Sequence, residues 1–188
     1  ISIILTRVKG KKKEIYAKEG FLTVGLAWIV ISFFGALPFV FNGAIPSFID
    51  AFFETSSGFT TTGASILTEI QSLPKGILFW RSFTHWVGGM GFLIFILALM
   101  PSFGGNTIHL LKAESPGPTP GKIVPKIKQT AKILYAIYFV LTVIETIFLK
   151  FAGMSWYDAI IHALGTAGTG GFSNMNASVA AFNNPTVD

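Results

Sequence analysis

Two short runs of threonine and glycine hold the residues of this sequence best suited to bind a bare cation: Thr60-Thr61-Thr62-Gly63 and Gly168-Thr169-Gly170-Gly171. Consecutive backbone carbonyls in such runs can replace the hydration shell of an alkali ion. Glycine permits the backbone angles that turn carbonyls inward, and threonine hydroxyls can brace the loop or add oxygen ligands. The runs are copies of one motif. Asp50–Ser65 reads DAFFETSSGFTTTGAS and Asp158–Ser173 reads DAIIHALGTAGTGGFS, aligned without gaps at an offset of 108 residues. Asp50/Asp158, Ala51/Ala159, Thr61/Thr169, Gly63/Gly171 and Ser65/Ser173 are identical. In a membrane helix, small residues ordinarily make a packing surface. Two aligned copies, each behind its own short capped helix, favour ion coordination instead.

Little else in the chain offers chemistry. There is no Cys, so disulfides, thiol nucleophiles and Cys-based zinc sites are excluded. Ser56, Ser57 and His85 supply a serine and a histidine, but no orienting acid stands at diagnostic spacing, which argues against a hydrolase and against an enzyme generally. Neither loop has the G-x-x-x-x-G-K-[ST] pattern of a phosphate cradle. His85, His109 and His162 are too far apart in sequence to read as a metal site. Ionisable residues in apolar runs are functional candidates by default, which singles out Arg81, His85 and Glu145. Arg81 suits snorkelling or helix pairing, His85 an interhelical hydrogen bond, and Glu145 a partner across helices or at Lys150. Gly88, Gly89 and Gly91 would let another backbone approach closely.

The elements that hold these residues follow from composition. Only 12% of residues are charged while 51% are hydrophobic, against roughly 25% charged in a soluble domain. Apolar runs cover residues 21–41, 76–100 and 133–151. The first would span about 31 Å as a helix, close to the hydrocarbon thickness of a bilayer. Lys and Arg concentrate in 1–20 and 102–132, whereas 42–77 and 152–188 are neutral or acidic. The positive-inside rule puts the basic blocks in the cytoplasm. Lysines flanking spans serve topology and attraction to membrane lipid, so the net charge of +5 does not indicate nucleic acid. Ser47 and Ser155 stand three residues before Asp50 and Asp158, the Ser-x-x-Asp form of a capping box. The spacing predicts short helices over Phe48–Ser57 and Trp156–Gly165, each broken by its Gly/Thr run. Such helices are too short to cross a bilayer, so the loops behind them must be buried in protein or line a wet cavity.

The expected fold is therefore all-α and membrane-embedded, built from repeated span–re-entrant helix–span units. Residues 1–20 form a basic cytoplasmic segment, 21–101 the first repeat, 102–132 a cytoplasmic loop, and 133–188 a second repeat with span and loop only. Pro116-Gly117-Pro118-Thr119-Pro120-Gly121 makes that cytoplasmic loop turn-rich. No signal peptide is visible, and both ends are expected to be cut from a longer chain.

Several segments, in order over nearly the whole chain, resemble the Trk/Ktr/HKT superfamily of potassium transporters, most closely its bacterial TrkH-type uptake subunits. They are Phe53-Glu54-Thr55-Ser56-Ser57-Gly58-Phe59-Thr60-Thr61-Thr62-Gly63-Ala64, Arg81 with His85-Trp86-Val87-Gly88-Gly89-Met90-Gly91, Ala113-Glu114-Ser115-Pro116-Gly117-Pro118, and Gly170-Gly171-Phe172-Ser173. In that family four span–pore-helix–span repeats surround one pore; this sequence resembles the first repeat and the second through its filter loop. The third and fourth, with a gating loop and a pore-facing Arg, are missing, so 188 residues alone should not conduct. The resemblance implies potassium as the transported ion, no covalent cofactor, and a selectivity filter at Thr61, Thr62, Gly63, Thr169, Gly170 and Gly171. Gly63 favours potassium, since plant relatives with Ser there tend to carry sodium. It further implies a multi-pass inner-membrane homodimer with a cytoplasmic nucleotide-binding ring of TrkA type, for which the lysines of 102–132 offer a surface. A secondary cation-coupled transporter with broken helices and a sodium-permeable relative are the alternatives, and coupling by symport stays open.

Overall fold

Long apolar helices and short capped ones alternate along the chain in a computed structural model that describes residues 17–91 and 127–184. Helix α1 spans Ala17–Asn42, α2 Phe48–Phe59, α3 Lys75–Gly89, α4 Ile127–Phe151 and α5 Trp156–Ala167, and a 3-10 helix covers Ser178–Phe182. Among the described residues there is no strand. The basic stretch 1–16, the run 92–100, most of the 102–132 loop, the Pro-rich turn and His109 lie outside them.

Helices α1 and α4 each hold a 21-residue apolar stretch, Leu22–Asn42 and Ala131–Phe151, long enough to cross a membrane. A core helix of a soluble protein would be covered by its neighbours. Here only 22% and 6% of the most apolar windows are buried, and Phe41, Phe148 and Phe151 are 81%, 68% and 84% exposed. Helix α3 occupies the second apolar run but stops at Gly89, where Gly91 takes φ +70 and turns the chain.

The capped starts of the short helices are present. The Ser47 hydroxyl accepts the Asp50 amide at 3.4 Å. The Ser155 hydroxyl accepts that of Asp158 at 3.1 Å and donates to its carboxylate at 2.6 Å. Each short helix runs two residues beyond the predicted end, to Phe59 and Ala167.

Helix α2 packs on α1, α5 packs on α4, and α3 lies between the two short helices. Small residues set this arrangement, as expected at Gly88 and Gly89. A Cβ on Gly88 would strike the Phe59 carbonyl, and one on Gly89 would strike Gly168 and the Tyr138 hydroxyl. Indole donors complete the ties: Trp80 Nε1 to the Gly35 carbonyl at 2.9 Å, and Trp86 Nε1 to the Thr142 hydroxyl at 3.0 Å. Ala36, Phe39, Ile45, Ala51 and Ile77 form the apolar core between α1, α2 and α3. Gly88→Ala should therefore lower stability by about 1–3 kcal/mol, the usual cost of overpacking. Thermal unfolding of the full-length protein in detergent checks this.

Candidate ion-binding site

The two Gly/Thr loops share one backbone geometry. Thr60, Thr61 and Thr62 donate their amides to the carbonyls of Ser56, Gly58 and Ser57 at 2.9, 3.1 and 3.0 Å. Gly168, Thr169 and Gly170 do the same to Leu164, Thr166 and Gly165 at 3.1, 2.8 and 3.0 Å. Every pair is related by the 108-residue offset. The pattern is a Schellman ending, in which the residue after the cap is left-handed and usually glycine. Here it is Thr61 at φ +54 and Thr169 at φ +56. A β-branched residue is a genuine outlier there, at about 1–3 kcal/mol each. Two residues on, Gly63 at φ +77 and Gly171 at φ +82 are left-handed again. Left-handed residues thus recur at every second position of both loops.

The loops meet. A Cβ on Gly63 would overlap the Gly170 carbonyl oxygen, so main chain lies against main chain there. In the first loop the Thr60 hydroxyl donates to the Ser56 carbonyl at 2.7 Å and lies 2.8 Å from the Thr62 hydroxyl. The structure brings Gly63 and Gly170 into contact and gives Thr61/Thr169 and Gly63/Gly171 matched conformations. What it offers chemically is two loops of matched backbone whose main chains touch. Among the described residues no cluster of His, Asp and Glu could hold a metal ion.

Behind the loops lies a buried polar network. Arg81 Nε donates to Glu54 Oε1 at 2.6 Å, with the two side chains 3% and 0% exposed. Arg81 Nη1 donates to the Ser173 carbonyl at 2.9 Å, and the guanidinium lies 3.6 Å over the Phe172 ring. Glu54 also accepts the Ser65 hydroxyl at 3.0 and 3.1 Å and the Ile66 amide at 3.0 Å. In the second repeat His162 occupies the position of Glu54. Its Nδ1 lies 2.8 Å from the Asp158 carbonyl and its Nε2 2.9 Å from the Ser173 hydroxyl. A carbonyl can only accept, so Nδ1 carries a proton, and Nε2 shares its bond with the Ser173 hydroxyl. Ser65 and Ser173 play one part in both copies: each hydroxyl binds the short helix and accepts the amide two residues on, Leu67 at 3.1 Å and Met175 at 3.0 Å.

Arg81 thus pairs helices and does not snorkel, because Glu54 and the Ser173 carbonyl satisfy it inside the protein. His85 bonds a loop amide, Phe172, at 3.4 Å and not a neighbouring helix. Glu145 takes the Thr166 hydroxyl across α4 and α5, while Lys150 donates to the Met154 carbonyl at 3.1 Å. Glu54 and His162 escaped sequence reasoning. Their signal was available: both are ionisable side chains at the same register of the two aligned short helices.

The profile of the TrkH family, described as a cation transport protein, matches residues 1–188. The chain is 45% identical over 189 residues to the Trk system potassium uptake protein TrkH of Salmonella typhimurium, covering 100% of this chain and 39% of that protein. It is 46% identical over 180 residues to that of Escherichia coli K12, covering 95% and 37%. Its fold is similar to the crystal structure of the potassium transporter TrkH from Vibrio parahaemolyticus, with a TM-score of 0.77 at 36% identity, covering 99% of this chain and 37% of that one. The chain spans less than two fifths of the length of the curated relatives it matches.

Because the Glu54–Arg81 pair is buried, removing one partner strands the other. Arg81→Met or Glu54→Leu alone should each destabilise by about 3–5 kcal/mol. The double variant should lose less than the sum of the two, as read by thermal unfolding of the full-length protein.

Proposed function

This chain belongs to the TrkH family of cation transport proteins, and on that premise we propose that it contributes two of the filter loops of a potassium-selective pore. The observation that carries the reading is the pair of loops with left-handed residues at Thr61, Gly63, Thr169 and Gly171, meeting at Gly63 and Gly170. Carbonyls from Thr61, Thr62, Gly63, Thr169, Gly170 and Gly171 take the place of water around the ion. A neutral carbonyl set holds a monovalent ion loosely enough to release it, which transport requires. The short helices end at the loops, where the macrodipole favours positive charge. Each short helix follows a long helix that the charge pattern runs from cytoplasm to outside, which supports a pore of parallel repeats over a transporter of inverted broken helices.

On this reading the protein is multi-pass in the cell inner membrane, with 1–20 and 102–132 in the cytoplasm, 21–101 a complete repeat and 133–188 part of a second. It works as part of a larger subunit that forms a homodimer, and the lysines of 102–132 face a nucleotide-binding ring of TrkA type. Potassium is the cargo, and no cofactor takes part.

Two measurements test this. Gly63→Ser places a Cβ against the Gly170 carbonyl and Gly171→Ser puts one at φ +82. Each should reduce potassium over sodium permeability of the full-length protein, and unchanged ratios in both would refute the filter. Cysteine labelling suits a chain with no Cys: Lys12→Cys should react only from the cytoplasmic side, and Glu69→Cys only from outside.

A further inference from the structure

The two loops differ where their backbones agree. Thr60 and Thr62 of the first stand opposite Gly168 and Gly170 of the second. Neither glycine is required by the main chain: Gly168 has φ −74, and Gly170 is not among the left-handed residues. Space is the reason. A Cβ on Gly170 would strike the His85 ring, and one on Gly168 would strike the His85 carbonyl and Cβ. His85 itself is 0% exposed. Its ring stacks on Phe172 with centroids 3.9 Å apart and planes 21° apart, and Nδ1 accepts the Phe172 amide at 3.4 Å. That amide can only donate, so the imidazole is neutral with its proton on Nε2.

We propose that His85 is a positioning residue for the second loop: it fills the volume that the Thr60 and Thr62 side chains take in the first, fixes the Phe172 amide, and so sets the ion preference of Gly168-Thr169-Gly170-Gly171. The proposal rests on the filter reading above. It touches no ion. Helix α3 thereby acts on Gly170 of the second loop through a ring, while its backbone meets Phe59 at Gly88 and Gly168 at Gly89.

The test measures potassium over sodium permeability of the full-length protein, with thermal stability measured alongside. His85→Ala should lower the ratio about fivefold, the worth of one hydrogen bond. His85→Asn, which keeps an acceptor on the same carbon as Nδ1, should hold it within about twofold by the same measure. Gly170→Ala should lower the ratio in the parent protein and have far less effect beside His85→Ala, because the ring it collides with is gone. An unchanged ratio in His85→Ala, or a Gly170→Ala effect equal in both backgrounds, overturns the proposal. Gly171→Ser separates the two ideas: if it lowers the ratio while His85→Ala does not, the positioning role fails and the filter stands. If neither lowers it and Gly63→Ser does not either, the filter reading fails as well. Should His85→Ala not reach the membrane, His85→Asn and His85→Gln decide: a ratio kept by Asn and lost by Gln supports the role, and equal ratios overturn it.

Discussion

A guanidinium and a carboxylate, both removed from solvent, tie α2 to α3, and the guanidinium carries the tie on to the second repeat. Arg81 and Glu54 meet at 2.6 Å in a setting where either charge alone would be expensive. Such a pair adds little net stability over a well-packed apolar substitute; what it supplies is geometry. Glu54 has its remaining oxygen capacity taken by Ser65 and Ile66 behind the first loop. Arg81 has a second donor on the Ser173 carbonyl and its flat face on Phe172, behind the second. A shift of α3 by one hydrogen-bond length would therefore loosen the supports of both loops together.

The duplicated plan survives a complete change of chemistry at its central support. Position 54 is a carboxylate that needs a cation, and the equivalent His162 is an imidazole satisfied inside its own repeat by Asp158 and Ser173. What persists is the serine after each loop and its bond back to the short helix. The segments that follow the two loops are also joined across the repeats, by Asn176 bonding the Ile70 amide at 2.8 Å and the Glu69 carboxylate at 3.1 Å. The Tyr157 hydroxyl adds a bond to the Lys75 carbonyl at 2.6 Å.

Much of this was legible before any coordinates, for local reasons. Ser47 and Ser155 announce the short helices because capping depends on three or four adjacent residues. Gly88 and Gly89 announce a close approach because no side chain means no distance to keep. Glu54 was hidden by its company: beside Asp50 and Glu69 it counted toward the charge of an external block, and its partner lies 27 residues away. Thr61 and Thr169 were hidden by their type, since a left-handed helix ending is normally signed by glycine. The identity of residue 108 positions apart was visible; the left-handed backbone that it marks was not.

The meeting of Gly63 with the Gly170 carbonyl has a consequence for how sharply the spacing of the two loops is defined. Side chains flicker among rotamers on the nanosecond scale, and an opening edged by them inherits that noise. Main-chain atoms have no rotamers. An edge made of peptide groups, each tied back by the amide bonds of a helix ending, keeps its width to the tolerance of the backbone itself. The same construction removes any gentle adjustment: a methyl group added at Gly63 would meet the Gly170 carbonyl oxygen, a main-chain atom with no rotamer to yield.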